Sequence, residues 1–280
     1  MKARAVSELG TVAQALAHAR VIGIDRLDAQ LLLAHRLGRP RAWLLAHGDT
    51  MFDAATQDAV CNLFARRAAG EPLAYLVGER EFHGLLLRVT PDVLIPRPDT
   101  ETLVDWAIER LVDLPASAVL DLGTGSGAIA LALKHAQPAA QVHGSDVSAR
   151  ALAVARANSS RLGLQIMWHL GDWWRAPDPN LRFDLVVANP PYIAPGDPHL
   201  APLRHEPLTA LVAQRAGLAD IQSIVEGAPT RLAPMGWLLL EHGFDQAAAV
   251  CECLLQSGFE KIETRIDLGG QPRVSGGRLA

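Results

Sequence analysis

The sequence predicts an α/β fold: a seven-stranded, mostly parallel sheet with helices on both faces, preceded by a small helical domain and a β-hairpin linker. Three observations carry this. Apolar residues recur at three- and four-residue spacing up to about residue 70, a proline-rich stretch of β texture follows, and from there strand-like runs alternate with helical patterns. The 280 residues, 49% hydrophobic and 20% charged, suit two domains and a sizeable core. The expected division is a helical domain over 1–72, a hairpin linker over 73–98 and an α/β domain over 99–280.

TVAQALAHARVIG and RLDAQLLLAHRLG have helical spacing, the second ended by Gly38 and Pro40. Asp53 is a good N-cap for DAATQDAVCNLFARRAAG, which Gly70 closes. From Pro72 the texture changes: β-rich segments around Gly84, then Pro91, Pro96 and Pro98, read as a hairpin running into a rigid connector. The alternation that follows is SAVLDLG and GAIALALKHA, QVHGSDV and SARALAVARANSS, LQIMWHLGD, FDLVVAN, GLADIQSIVEG and GWLLLEHG, then FDQAAAVCECLLQSG and EKIETRIDL. The last two strands, EKIETRIDL and RVSGGRL, sit too close for a crossover helix and should pair antiparallel. Pro229 should end or kink the helix before GWLLLEHG.

A net charge of −4 and a pI near 6.2 exclude an overall basic field for nucleic acid. No uncharged apolar run approaches the roughly 18–20 residues of a membrane span, and Lys2, Arg4 and Glu8 stand where a signal peptide needs its apolar region. A cytoplasmic protein is expected. Cys61, Cys251 and Cys253 fit reduced thiols; Cys251-Glu252-Cys253 lacks the spacer of a zinc or redox pair, and no metal is expected.

Directly after the strand AVLDL stands Gly123-Thr124-Gly125-Ser126-Gly127, then a helix. Glycines at such a turn let the backbone approach a ligand at the edge where open parallel sheets bind theirs, though a tight turn with no ligand would look the same. Asp146 ends the next strand about 20 residues on, where a carboxylate accepts from two ribose hydroxyls, so a nucleoside is expected. Asp172 ends the third strand, where it can meet an adenine edge, and Trp173 offers a flat face, with Trp174 competing for that role. Both NAD and S-adenosylmethionine remain open at this point. Asp121, just before the glycines, is awkward beside a pyrophosphate but favourable near a cationic amino group or sulfonium.

The run FDLVVAN stops on Asn189-Pro190-Pro191-Tyr192. Two prolines cannot donate to a sheet, so alone the tetrapeptide reads as a strand stop with an Asn-Pro turn. In this topology, however, the fourth strand lies beside the first, and Asn189 faces the crevice of the glycine turn. The Asn189 side-chain oxygen and the Pro190 carbonyl are then two fixed acceptors for a planar NH₂, with Tyr192 packing on the planar group. The chemistry suggests an S-adenosylmethionine-dependent N-methyltransferase, with no general base needed before transfer.

In order along the chain, AYLVGEREFHG, LIPRPDTETLV, LDLGTGSGAIALAL, NPPYI, GDPHL, EPLTALV and LLLEHG make the sequence resemble the HemK/PrmC protein-(glutamine-N5) methyltransferases, over nearly its whole length. The resemblance implies a helical N-terminal domain that helps recognise a class I peptide chain release factor, a hairpin linker and a class I methyltransferase domain. The implied substrate is the glutamine amide of a Gly-Gly-Gln motif, and the implied cofactor is S-adenosyl-L-methionine. By position, Gly123 to Gly127, Asp146 and Trp173 would hold the cofactor, and Asn189, Pro190, Pro191 and Tyr192 would grip the amide. Arg97, Glu101 and Glu241-His242 are family positions whose structural reading, a salt-bridged connector and a support, is at least as good. The segment APLRH, with His205 where an aromatic is common, is a couple of residues shorter than in the family. Gly269-Gly270-Gln271, between the last two strands, is explained by a turn.

A nucleic-acid amino-group methyltransferase uses the same NPPY element but predicts a basic groove or an added binding module, and neither is visible. A non-catalytic adaptor that binds release factors is the rival from another class. A monomer acting without membrane or direct nucleic-acid contact is expected.

Overall fold

The computed structural model describes residues 9–280 except Asp113 and Pro115. The first residues, with Lys2, Arg4 and Glu8, lie outside the described ones. The chain divides into two compact units, up to Gly78 and from Glu79 onward.

The first unit is helical: α1 (Val12–Val21), α2 (Arg26–Leu37), α3 (Arg41–Ala46), α4 (Ala54–Ala68) and α5 (Leu73–Val77). Thr11 and Gln14 form a reciprocal capping box at the start of α1, and Asp25 and Asp53 cap α2 and α4. Gly38 ends α2 in the left-handed conformation. Leu9, Val12, Leu32, Leu33, Leu44 and Phe64 form the unit's core. Residues Leu73–Val77, where the sequence suggested the start of the hairpin, make one more helical turn after Pro72, ended by left-handed Gly78. Tyr75 and Leu76 are buried here by helical, not alternating, spacing.

The second unit opens with the hairpin β1 (Glu79–Phe82) and β2 (Leu85–Arg88). Phe82, Leu85 and Leu87 are buried in the same core as Leu103 and Trp106 of α6 (Glu101–Leu111), so the hairpin is part of this unit's packing. Asn158 fastens it further: its amide nitrogen donates to the Arg88 and Ser126 carbonyls at 3.0 and 2.9 Å, and its oxygen accepts the Arg88 N–H at 2.7 Å.

The sheet comprises β3 (Ala118–Leu122), β4 (Gln141–Asp146), β5 (Met167–Leu170), β6 (Phe183–Ala188), β7 (Leu232–Glu241), β8 (Phe259–Ile266) and β9 (Pro272–Leu279), in the order β5-β4-β3-β6-β7-β9-β8. The pairs among β3 to β7 are parallel, while β9 runs antiparallel to both β7 and β8. Alternation along each strand separates two cores. Val119, Leu185, Val187 and Leu239 pack with α6 and α7 (Ala128–Ala136) on one face. Leu120, Leu122, Val186, Leu238 and Leu240 pack on the other with α9 (Ala219–Gly227) and α10 (Ala247–Gln256). Helix α8 (Ala149–Leu162) connects β4 to β5. Helix α9 ends at Gly227, two residues before Pro229, as the missing N–H and fixed φ of proline require. Among the described residues no helix is long and apolar enough to cross a membrane.

Candidate active site

The strand order reverses between β3 and β6, which is where open parallel sheets leave a crevice beyond their carboxyl ends. A cavity of about 280 Å³ opens there. Gly123 and Gly125 from the turn after β3, Asp146 from the end of β4, Trp173, and Asn189 and Pro191 from the end of β6 all line it.

The glycine turn is held from β4. Gly123, Gly125 and Gly127 have φ of 71, 56 and 83°, a left-handed path closed to most residues with a Cβ. The Thr124 N–H donates to the Ser145 carbonyl at 2.8 Å and the Gly125 N–H to Asp146 Oδ2 at 2.9 Å. Asp146 Oδ1 accepts the Ser148 N–H at 2.8 Å. Burial raises the Asp146 pKa against these stabilising bonds.

Asp121 is placed differently from what its position suggested. It shares the strand parity of Val119, so its side chain enters the core beneath α7, and it is fully buried outside the cavity lining. Oδ2 accepts from the Thr124 hydroxyl at 2.5 Å and the Ala130 N–H at 3.2 Å, while Oδ1 is buried without a partner. Desolvation pushes its carboxyl up to about 7 despite both bonds, with the Asp146 charge adding to the rise. Thr124, Ser126 and Gly127 also lie outside the lining; they shape the turn rather than face the space.

The two adjacent tryptophans part company. Trp173, at φ 38°, turns its ring against Gly123, where a Cβ would stand 3.2 Å from Cζ3, and its Nε1 donates to Asp220 Oδ1 at 3.3 Å. Trp174 instead packs over Gly227 and donates to the Ile224 carbonyl at 3.0 Å, away from the cavity lining. Asp172 lines the cavity, as do Asp92 and Asp220, and Arg150 is the basic residue among the lining side chains. Four carboxylates with Asp146 against one guanidinium make the space acidic.

Asn189 donates from Nδ2 to the Thr100 hydroxyl at 3.2 Å. Pro190 is buried and Pro191 half-buried. Tyr192 lies against the core, and its hydroxyl donates to Glu241 Oε1 at 3.3 Å. Burial first, then the Glu241 charge, holds the Tyr192 pKa above its ordinary range. The following segment is fastened by Gly217, at φ 83°, where a Cβ would stand 2.0 Å from the Tyr192 carbonyl oxygen; Gln246 Nε2 donates to the same oxygen at 3.1 Å. Only glycine fits there.

Arg97 forms an ion pair with the buried Glu206, which also accepts the Ile95 N–H at 3.0 Å. This ties the connector carrying the wall residues Val93 and Leu94 to the loop carrying Pro207, Thr209 and Ala210. Glu101 accepts the His83 N–H at 3.0 Å and does not line the cavity. His242 is buried behind the site, its Nε2 2.8 Å from the Ser275 hydroxyl. Residues 198–203, just before the short segment with His205, form tight 3₁₀ turns.

The sequence did not single out Asp220, Thr209, Ala210, Val93 or Leu94 as cavity residues. No local signal marks them, because they reach the cavity only when distant segments close over it. Leu94, Thr100, Glu206, Thr209, Ala210 and Asp220 all stood inside quoted stretches, but only their contacts give them a place.

The description "PrmC N-terminal domain" matches residues 9–78, and "Methyltransferase small domain" matches residues 101–203. A release factor glutamine methyltransferase from Bordetella pertussis is 51% identical over 259 residues, covering 92% of this chain and 96% of its own. One from Burkholderia pseudomallei is 50% identical over 268 residues, covering 93% and 94%. The solved structure of a T. thermophilus 16S rRNA methyltransferase in complex with AdoMet and guanosine matches at TM-score 0.54 and 21% identity, covering 72% of this chain and 50% of that one, a likeness of fold. The sheet order, the glycine turn and near full-length identity of about half therefore agree on one conclusion: the chain belongs to the release factor glutamine methyltransferase family.

Proposed function

We propose that this protein transfers a methyl group from S-adenosyl-L-methionine to the side-chain amide nitrogen of a glutamine in a peptide chain release factor, the glutamine of the Gly-Gly-Gln motif of class I factors. The observation that carries the reading is Asn189, bonded to Thr100 and lining an acidic cavity of about 280 Å³ together with the glycine turn and Asp146.

The residues present suit the cofactor. Gly125, where a Cβ would meet nothing within 4 Å, leaves room for close backbone approach, and Asp146 stands where ribose hydroxyls would donate. Trp173 and Asp172 would flank the base, and Asp220, bonded to the Trp173 indole, would steady that ring. The four cavity carboxylates favour a ligand with net positive groups over one carrying a pyrophosphate. The fully buried Asp121 would act through the glycine turn it holds from beneath. When bound, S-adenosyl-L-methionine supplies an electrophilic methyl group on a sulfonium.

Asn189 Oδ1 and the Pro190 carbonyl would accept the two N–H bonds of the glutamine amide, drawing its plane and lone pair into one orientation. Opposing acceptors also resist delocalisation of that lone pair into the carbonyl. Tyr192, bonded to Glu241 and outside the cavity lining, would pack on the amide when it binds. No base is required first, since the proton becomes acidic only as nitrogen gains positive character. The helical unit up to Gly78 would contribute to recognising the release factor.

Labelled S-adenosyl-L-methionine with a release factor, its Gln-to-Ala variant, RNA or DNA tests the reading. Label is expected in the intact factor alone. Label in the variant, or only in nucleic acid, would overturn it; the single basic residue of the cavity lining speaks against the nucleic-acid alternative.

A further inference from the structure

One side chain beyond the Asn189-Pro190-Pro191-Tyr192 stretch bonds three separate segments at once. Gln246, just before α10, donates from Nε2 to the Tyr192 carbonyl at 3.1 Å and to the Ala216 carbonyl at 3.2 Å, and its Oε1 accepts the Gly243 N–H at 2.9 Å. Turning the amide over would set its oxygen against two carbonyls and its NH₂ against an N–H, so the three bonds together fix which way round it stands.

The segments it joins need holding. Arg215 and Ala216 stand at φ 53 and 55°, a left-handed path that is strained for any residue with a Cβ, and Gly217 follows at 83°. That path brings Gly217 so close to the Tyr192 carbonyl that no Cβ fits between them. The other side of the same peptide unit is held too, since the Ile193 N–H donates to the Leu211 carbonyl at 3.0 Å.

The consequence reaches back along the tetrapeptide. Ala188, immediately before it, is paired with Leu122 on one side and Leu240 on the other. Proline rings fix φ at Pro190 and Pro191, so few torsions remain between that pairing and Tyr192. With the Tyr192 carbonyl held, the Pro190 carbonyl is left one direction. With it released, the remaining torsions let that acceptor swing away from Asn189.

We propose that Gln246 is a positioning residue for methyl transfer: its NH₂ group, by holding the Tyr192 carbonyl against the left-handed turn at 215–217, aims the Pro190 carbonyl beside Asn189. This rests on Asn189 and Pro190 gripping the substrate amide. Gln246 does not line the cofactor cavity, so its loss should fall on turnover and not on cofactor binding. The two donors carry this role, while the bond from Gly243 fastens the residues leading into α10.

Two substitutions separate those functions. Gln246→Lys keeps a donor that can reach both carbonyls and loses the acceptor, whereas Gln246→Glu keeps the acceptor for Gly243 and loses both donors. The test is steady-state methylation of a release factor by the full chain and these variants together with Gln246→Ala, alongside calorimetry with the cofactor. Gln246→Ala and Gln246→Glu should each lower kcat about tenfold or more, Gln246→Lys should stay within about threefold of wild type, and cofactor affinity should change less than about threefold throughout. A role confined to fastening α10 would reverse the order of the Glu and Lys variants. That reversal, a Lys variant as poor as the Ala variant, or an unchanged kcat in Gln246→Ala overturns the proposal. If Gln246→Ala or Gln246→Glu does not fold, the other against Gln246→Lys decides. Unaffected turnover in Asn189→Ala, or no label in the factor with wild-type enzyme, would instead remove the underlying reading.

Discussion

Asp146 holds the glycine turn in its ligand-ready path, with Oδ2 accepting the Gly125 N–H at 2.9 Å while the same side chain faces the cavity. Asp146→Asn keeps one acceptor and loses the charge and the second acceptor. Calorimetry should find cofactor affinity at least about tenfold weaker, near 1.4 kcal/mol, with the protein still folded. An affinity within twofold of wild type would place the cofactor elsewhere.

Removing the Asn189 side chain leaves the cavity walls in place. Asn189→Ala should abolish measurable methyl transfer while cofactor affinity stays within a few-fold, so that chemistry and cofactor binding separate cleanly. Single-turnover assays with a release factor and calorimetry with the cofactor read the two quantities.

The tryptophan pair offers an internal control. Trp173→Ala should weaken cofactor binding by about 1–3 kcal/mol, and Trp173→Phe should recover most of it. Trp174→Ala should leave affinity nearly unchanged but lower the melting temperature, since its ring fills the space over Gly227 in the core beneath α9. Reversed effects would assign the cavity face to Trp174.

Asp121 predicts a pH-dependent stability. Its folded pKa, about 7, lies above the ordinary carboxyl value of 3.8. The raised value means the folded state favours the protonated acid, so this contribution is fully present below 3.8 and is lost as pH rises toward about 7. Asp121→Asn mimics the protonated form. Its melting temperature should gain on wild type by a few degrees more at about pH 8 than at about pH 5. A difference that stays constant with pH would remove Asp121 from the effect.

The Arg97–Glu206 pair joins the connector to the loop after β6 with its acid nearly excluded from water. Arg97→Ala strands that charge and should cost about 3 kcal/mol, the low end for a broken buried pair because Arg97 is a third exposed. Glu206→Gln, which keeps an acceptor for the Ile95 N–H, should cost less. Chemical denaturation of both variants decides.

Much of this was legible in the sequence, because in a parallel sheet the residues at strand ends are both chain neighbours and site neighbours. The glycine turn, Asp146 and Asn189 each follow a strand directly, so locating the strand located the residue. Parity was equally legible for Asp121, yet proximity to the glycines suggested the cavity, and two hydrogen bonds from the start of α7 and its turn draw it inward instead. The choice between Trp173 and Trp174 rests on one backbone angle that adjacent identical residues cannot announce. Asp220 lies 47 residues beyond Trp173 and meets it only through the packing of α9. The short helix at Leu73–Val77 was hidden by its apolar run, which over five residues fits a strand as well as a helix.

The two prolines after Asn189 also bear on what the site must do at the moment of binding. Their rings restrict the chain before it folds as well as after, so part of the ordering of the Pro190 carbonyl is written into covalent structure rather than extracted from the incoming substrate. A flexible loop bearing the same two acceptors would have to be frozen at each turnover, and that loss would be subtracted from affinity every time. Here the rigidity is acquired once, during synthesis of the chain, and serves every substrate molecule that follows.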